Sequence, residues 1–88
     1  MIYHTLMTAI DEYEKAKERV IACTLATFPA CSTVYFYDNG MDLETTKALV
    51  SSKQDSVGYL RVFHSIGHII NTCIPISEVY KAPQSRSF

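Results

Sequence analysis

Surplus charge is absent from this chain. Its 88 residues carry eight basic and nine acidic side chains, for a formal net charge of -1. A protein drawn to phosphate backbones usually shows a basic excess, so nucleic acid is a disfavoured partner. Long apolar runs are absent too. No stretch reaches the ~18 consecutive apolar residues that a membrane span needs, and Met-Ile-Tyr-His-Thr-Leu-Met at the start has no basic region leading into an apolar run. The expectation is a soluble, cytoplasmic protein with no membrane partner. Cysteine is sparse. Cys23, Cys31 and Cys73 are odd in number and lack C-x-x-C spacing, which suits three reduced thiols better than a disulfide framework.

Catalytic motifs, phosphate loops and metal signatures are also missing. His64 and His68 flank a turn at Ser65-Ile66-Gly67 and could face each other, but His4 and the cysteines are too scattered to supply a third and fourth ligand. The same scatter argues against a Cys/His nucleophilic pair, whose base must lie within hydrogen-bond reach of the thiol. Glu44 and Glu78 have no paired carboxylate. The expectation is therefore no catalytic residue, no metal, no cofactor and no enzyme activity.

What is present is an ordinary globular balance, 48% apolar and 19% charged. A chain of this length buries roughly two-thirds of the surface its unfolded form exposes, enough for one domain. That domain is expected over residues 1–81, with 82–88 as a mobile tail because little there can be buried before Phe88. There is no internal repeat and no low-complexity tract.

The pattern from about Thr5 to Thr27 is helical. Ile2, Leu6, Ala9, Tyr13, Ala16, Val20 and Cys23 recur at alternating steps of four and three, so they share one stripe, and most of the charged residues lie elsewhere. Asp11 and Lys15 are placed for an i,i+4 pair. After Val20 the segment is apolar nearly all round and is expected to sink into the domain. Pro29 ends the helix, because the residue before proline avoids helical geometry. Packing of the stripe on the chain's own sheet is the main expectation; its heptad-like spacing also suits helix-to-helix self-pairing.

The organising stretch is Val57 to Lys81, two β-rich arms that form a hairpin. Leu60 and Val62 point one way and Tyr59, Arg61 and Phe63 the other; Ile70, Thr72, Ile74 and Ile76 share a face in the second arm. Pro75 cannot donate to a ladder, so the strand there lies at an edge or is interrupted, with Ile76–Tyr80 continuing after a bend. An earlier strand, Ser32–Tyr37, carries Val34 and Phe36 on one face and Tyr35 and Tyr37 on the other. Asp38-Asn39-Gly40 then supplies a hairpin turn. The returning strand should run from Met41 to about Val50, with a helix capped by Asp42 as the competing reading. Residues 51–56 read as a polar loop. The expected core is Val34, Phe36, Leu60, Val62, Ile70 and Ile74, with Val20 and Ile21 from the helix.

These elements give an α+β fold: an N-terminal amphipathic helix packed on a bent antiparallel sheet, or a small open barrel, of four or five strands. From Thr33 to Lys81 the order of an Asp-Asn-Gly hairpin, a long hairpin and a final Ile-Ser-Glu-Val-Tyr strand resembles that of Sm-like and SH3-like small barrels. No signature motif carries binding residues over.

Aromatic side chains stand out, with six tyrosines and four phenylalanines. Tyrosine is rigid and amphipathic and often anchors interfaces. Tyr35, Tyr37, Tyr59 and Phe63, with Arg61 giving orientation, are the candidate partner-binding residues; the alternative is that these rings pack beneath the helix. The functional expectation is a small non-enzymatic module, an accessory factor or inhibitor of the kind viruses and mobile elements encode, acting on another protein and open to homo-oligomerisation. The alternatives are an Sm-like RNA-binding oligomer, in which Tyr or Phe would stack bases, and a regulator that dimerises through its helix.

Overall fold

The computed structural model describes residues 3–64 and 71–87. One helix, α1 (His4–Thr27), precedes four strands: β1 (Thr33–Phe36), β2 (Thr46–Val50), β3 (Tyr59–Phe63) and β4 (Asn71–Pro75). A single 3-10 turn, Ile76–Glu78, follows β4. The strands form an antiparallel meander in the order β1-β2-β3-β4. The α+β class is as the sequence indicates, and the sheet is not closed into a barrel. Its nearest approach to closure is at Tyr35 and Tyr80, which exchange backbone hydrogen bonds of 2.8 Å along the outer edge of β1.

Strand alternation sorts the side chains into two faces. Val34 and Phe36, Ala48 and Val50, Leu60 and Val62, and Ile74 all turn to one side and form the core together with Phe28. The register explains why they meet: Val34 stands opposite Ala48, Val50 opposite Val62, and Leu60 opposite Ile74. Ile76 and Val79 close over this cluster from the chain that follows β4. Ile70, expected in the core, lies outside the described residues, as do the Ser65-Ile66-Gly67 turn and His68.

The first hairpin differs in its turn. Asn39 Oδ1 accepts from the Met41 N–H at 3.1 Å, and Asp42 Oδ2 accepts from the Asn39 N–H at 3.1 Å. These bonds build a local turn inside a connection that runs from residue 37 to 45, longer than a two-residue hairpin loop. The return strand therefore starts at Thr46, not Met41, and it is a strand, not the helix that Asp42 would have capped. Between α1 and β1 the reversal is tight. Cys31 takes a left-handed φ of 65°, while its N–H donates to the Val50 carbonyl at 2.8 Å and the Val50 N–H donates to the Ser32 carbonyl at 2.9 Å.

The helix departs most from expectation. A chain this long folded into one compact body would have a radius of gyration of about 12 Å, whereas this one measures 16.7 Å, with a long dimension of 59 Å. Only the last turns of α1 reach the sheet. Thr24 is buried, Ile21 and Leu25 are half-buried, and Phe28 just beyond the helix enters the core. Val20, expected in the core, is exposed, and every residue from Tyr3 to Ala16 is exposed as well. The reason is rotational. At about 100° per residue, the face that meets the sheet (21, 24, 25, 28) sits roughly a quarter-turn from the 6-9-13-16-20-23 stripe.

This difference predicts a contrast between two alanine variants. Leu60→Ala, at a fully buried side chain, should cost about 2–5 kcal/mol by lost burial and cavity formation. In a dilute melt of the single chain, Val20→Ala should stay within about 0.5 kcal/mol, as exposed positions do. Denaturant melts of both variants check the pair, and a large loss at Val20 would contradict the placement of α1.

Candidate partner-binding surfaces

The sheet face opposite the core carries Tyr35, Tyr59, Arg61 and Phe63, but they do not form one aromatic patch. Tyr35 stands opposite Lys47, and Phe63 opposite Leu49 on one side and Asn71 on the other. Tyr59 lies at the far end of β3, opposite Pro75. Tyr59 is exposed, whereas Tyr35, Arg61 and Phe63 are half-buried. None of these rings lies beneath α1, because Phe28 meets the sheet through the other face.

Arg61 is engaged within the chain. Its guanidinium lies 3.1 Å from Asp55 Oδ1, and its backbone is held by Gln54. The Gln54 side chain accepts from the Arg61 N–H at 2.8 Å and donates to the Arg61 carbonyl at 2.9 Å and the Ser51 carbonyl at 2.8 Å. One amide side chain thus satisfies both backbone groups of Arg61, much as a neighbouring strand would. The hydrogen bond from Arg61, followed by its positive charge, holds the Asp55 carboxyl below its ordinary value; the same contact raises Arg61. Nothing in the polar run 51–56 distinguishes Gln54 from its neighbours before the fold is known.

Tyr37 is engaged by the C-terminal segment. Its ring meets Tyr80 edge-on at 6.0 Å, and the Arg86 guanidinium lies 4.0 Å from its centre. Arg86 also donates to the carbonyls of Asp42 at 2.8 Å and Gly40 at 2.6 Å. Thr45 and Gln84 bond through backbone and hydroxyl, and the Arg86 N–H reaches the Leu43 carbonyl at 2.8 Å. Where the composition of 82–88 reads as a mobile tail, residues 84–86 lie along the 39–45 loop, because Arg86 supplies the donors that the turn carbonyls need. A cleft of about 380 Å³ opens beside Tyr37, Tyr80, Glu78 and Arg86.

The other surface is α1. Leu6, Ala9, Tyr13, Ala16, Val20 and Cys23 all lie in the open, widened by Tyr3, Met7 and Ile10. Tyr13 is 64% exposed and Leu6 56%. At the foot of this stripe an apolar groove of about 290 Å³ runs between Val20, Cys23 and Thr27 on the helix and Phe28 and Ile76 beyond it. The sequence marks the stripe; it does not mark that the stripe stays uncovered, because an amphipathic helix carries no sign of what its apolar face will meet.

Among the described residues no group of three or more His, Cys, Asp or Glu side chains could hold a metal ion, and no helix is long and apolar enough to cross a membrane. His64 meets the Phe36 ring edge-on at 5.9 Å. Compared with known protein families, curated proteins and solved structures, the chain matches none.

Three outcomes follow. Gln54→Ala removes three partly buried hydrogen bonds and should cost about 1–3 kcal/mol, measurable by denaturant melt. Tyr37→Ala should lower the melting temperature, whereas Tyr59→Ala should leave stability within about 0.5 kcal/mol. For Asp55 the folded pKa is the lower one, so its contribution is complete above the unfolded value and is lost as the pH falls through the folded value. The contact is solvent-exposed and the effect small, so Asp55→Asn should slightly flatten the acid limb of a stability-pH curve and leave its neutral region level.

Proposed function

We propose that this chain is a small non-enzymatic module, an accessory factor or inhibitor, that acts by binding protein. The observation that carries this reading is the uncovered apolar stripe of α1. Single exposed apolar residues are common on any protein, but a contiguous apolar strip along several helical turns marks a place where another surface docks. Helix-in-groove and helix-to-helix recognition both use anchors spaced three and four residues apart. Leu6, Ala9, Tyr13, Ala16 and Val20 have that spacing, and α1 leaves them exposed.

The sheet contributes less. Tyr59 and Phe63 remain candidates for a secondary contact, while Tyr37 and Arg61 are held inside the chain by Arg86 and by Asp55. Three exposed free thiols, Cys23, Cys31 and Cys73, suit a reducing compartment such as the cytoplasm.

The test is capture of protein by the immobilised chain beside its Tyr13→Asp and Val20→Asp variants, with melts run on all three. A desolvated anchor that gains a charge should lose at least about tenfold in affinity while the melting curve of the dilute single chain stays in place. Equal capture by parent and variants would remove α1 from the reading and leave Tyr59→Ala and Phe63→Ala to test the sheet.

A further inference from the structure

We infer that the partner of the α1 stripe is a second copy of this chain, with the two helices antiparallel, so that the N-terminal half of each lies against the C-terminal half of the other. The inference rests on the protein-binding reading above and names the protein bound.

Half of α1 has nothing of its own to hold it. Residues 3–16 bury nothing against the sheet. The helix N-terminus has no side-chain cap and no acidic residue in its first turn. Isolated helices shorter than ~12–15 residues are marginal in water, and most helical stability in proteins comes from packing an apolar face. The Asp11–Lys15 pair, at 3.1 Å, is exposed and adds little. Packing against another surface supplies what the sheet does not.

Side-chain size along the stripe is self-complementary. Antiparallel pairing centred between Tyr13 and Ala16 sets Tyr13 opposite Ala16, Val20 opposite Ala9 and Leu6 opposite Cys23, each large side chain facing a small one. Facing positions that alternate in size fill the space between helices without voids. Parallel pairing would stack Tyr13 on Tyr13 and Ala16 on Ala16, crowding one layer and leaving the next empty. Charge agrees. Acidic Asp11, Glu12 and Glu14 precede basic Lys15, Lys17 and Arg19, so the antiparallel arrangement lays acidic turns against basic ones and brings Glu12 beside Arg19 of the second copy. The parallel arrangement aligns turns of like sign.

The groove at the foot of α1 fits the same arrangement. A second helix running antiparallel past Cys23 delivers its N-terminal turns to the apolar groove between Val20, Cys23, Phe28 and Ile76. The side chains it brings there are Leu6 and, from the flank of the stripe, Tyr3, both exposed in the single chain. The least supported end of one helix thus meets an open, apolar groove of the other copy. With 24 residues, α1 spans the three heptads that sustained helix pairing needs.

Sedimentation equilibrium of the full chain over a wide concentration range tests the pairing, with Ala16→Tyr as the disrupting variant. Ala16 is exposed and outside the core, so circular dichroism and the melt report that the variant is folded. The expected result is a dimer whose dissociation constant rises at least about tenfold in Ala16→Tyr and returns toward the parent value in Tyr13→Ala/Ala16→Tyr, which restores large against small. Orientation is read by disulfide capture in oxidised glutathione, in a chain with Cys31→Ser and Cys73→Ser. Adding Leu6→Cys should give an intermolecular link from position 6 to Cys23, while the chain with Cys23 alone should stay unlinked. A Cys23-to-Cys23 link would overturn the antiparallel arrangement, and a dimer indifferent to Ala16→Tyr would overturn the stripe as its seam. A monomer at every concentration would overturn self-pairing while leaving stripe-dependent capture of a different protein to support the broader reading.

Discussion

Phe28 is the joint on which the rest of the structure depends. It is the first residue past α1, its N–H still closing the helix on the Thr24 carbonyl at 2.8 Å, and its side chain is already part of the sheet's core. Pro29 then prevents the helix from continuing, and the left-handed Cys31 turns the chain so that β1 runs alongside β2. A helix anchored through its last turns alone cannot lie flat across the sheet. Its first half must project, and the length of the molecule follows from that single attachment.

The sheet can tolerate so small a lid because its core face is covered from elsewhere. Ile76 and Val79 fold back against the core cluster from the segment after Pro75, and the Tyr35–Tyr80 hydrogen bonds fix that segment along β1. Pro75 has no N–H to give a neighbouring strand, so it sits at the end of edge strand β4, where the chain leaves the ladder and returns as cover. Residues 84–86 extend the same return to the 39–45 loop through Arg86. Edge strands are the exposed liability of an open sheet; here the chain's own C-terminal run shields part of the β1 edge.

How much of this could be read from the sequence depends on which interaction decides each element. Strand faces were legible because a period of two leaves one possible core side once Val34, Phe36, Leu60 and Val62 are seen to alternate with polar or aromatic residues. The extent of α1 was legible from its spacing and from Pro29. Gln54 and Arg86 were not, because both act through backbone groups: Gln54 on Ser51 and Arg61 across the bend into β3, and Arg86 on the 39–45 loop, which comes near it only once distant segments are paired. The candidate site divides the same way. Tyr35, Tyr59 and Phe63 fall on the face their alternation indicates, but the engagement of Tyr37 and Arg61 depends on loop and C-terminal geometry that propensity does not encode.

The error in placing α1 is the most informative, because it arises from a real feature of the helix. Between Val20 and Phe28 the helix is apolar on two adjacent faces, and an amphipathic pattern alone does not say which of them meets the sheet. The sheet takes 21, 24, 25 and 28. The longer stripe runs on toward the N-terminus, beyond the reach of any strand, so it cannot be a core face of the single chain whatever its composition. A regular alternation of large and small residues along a face the domain cannot use is costly to explain as surface, since exposed leucine, tyrosine and valine gain nothing from water. It is simple to explain as a seam. On that reading the two faces divide the work of one helix: the short one secures it to its own domain, and the long one is free to be satisfied by another chain.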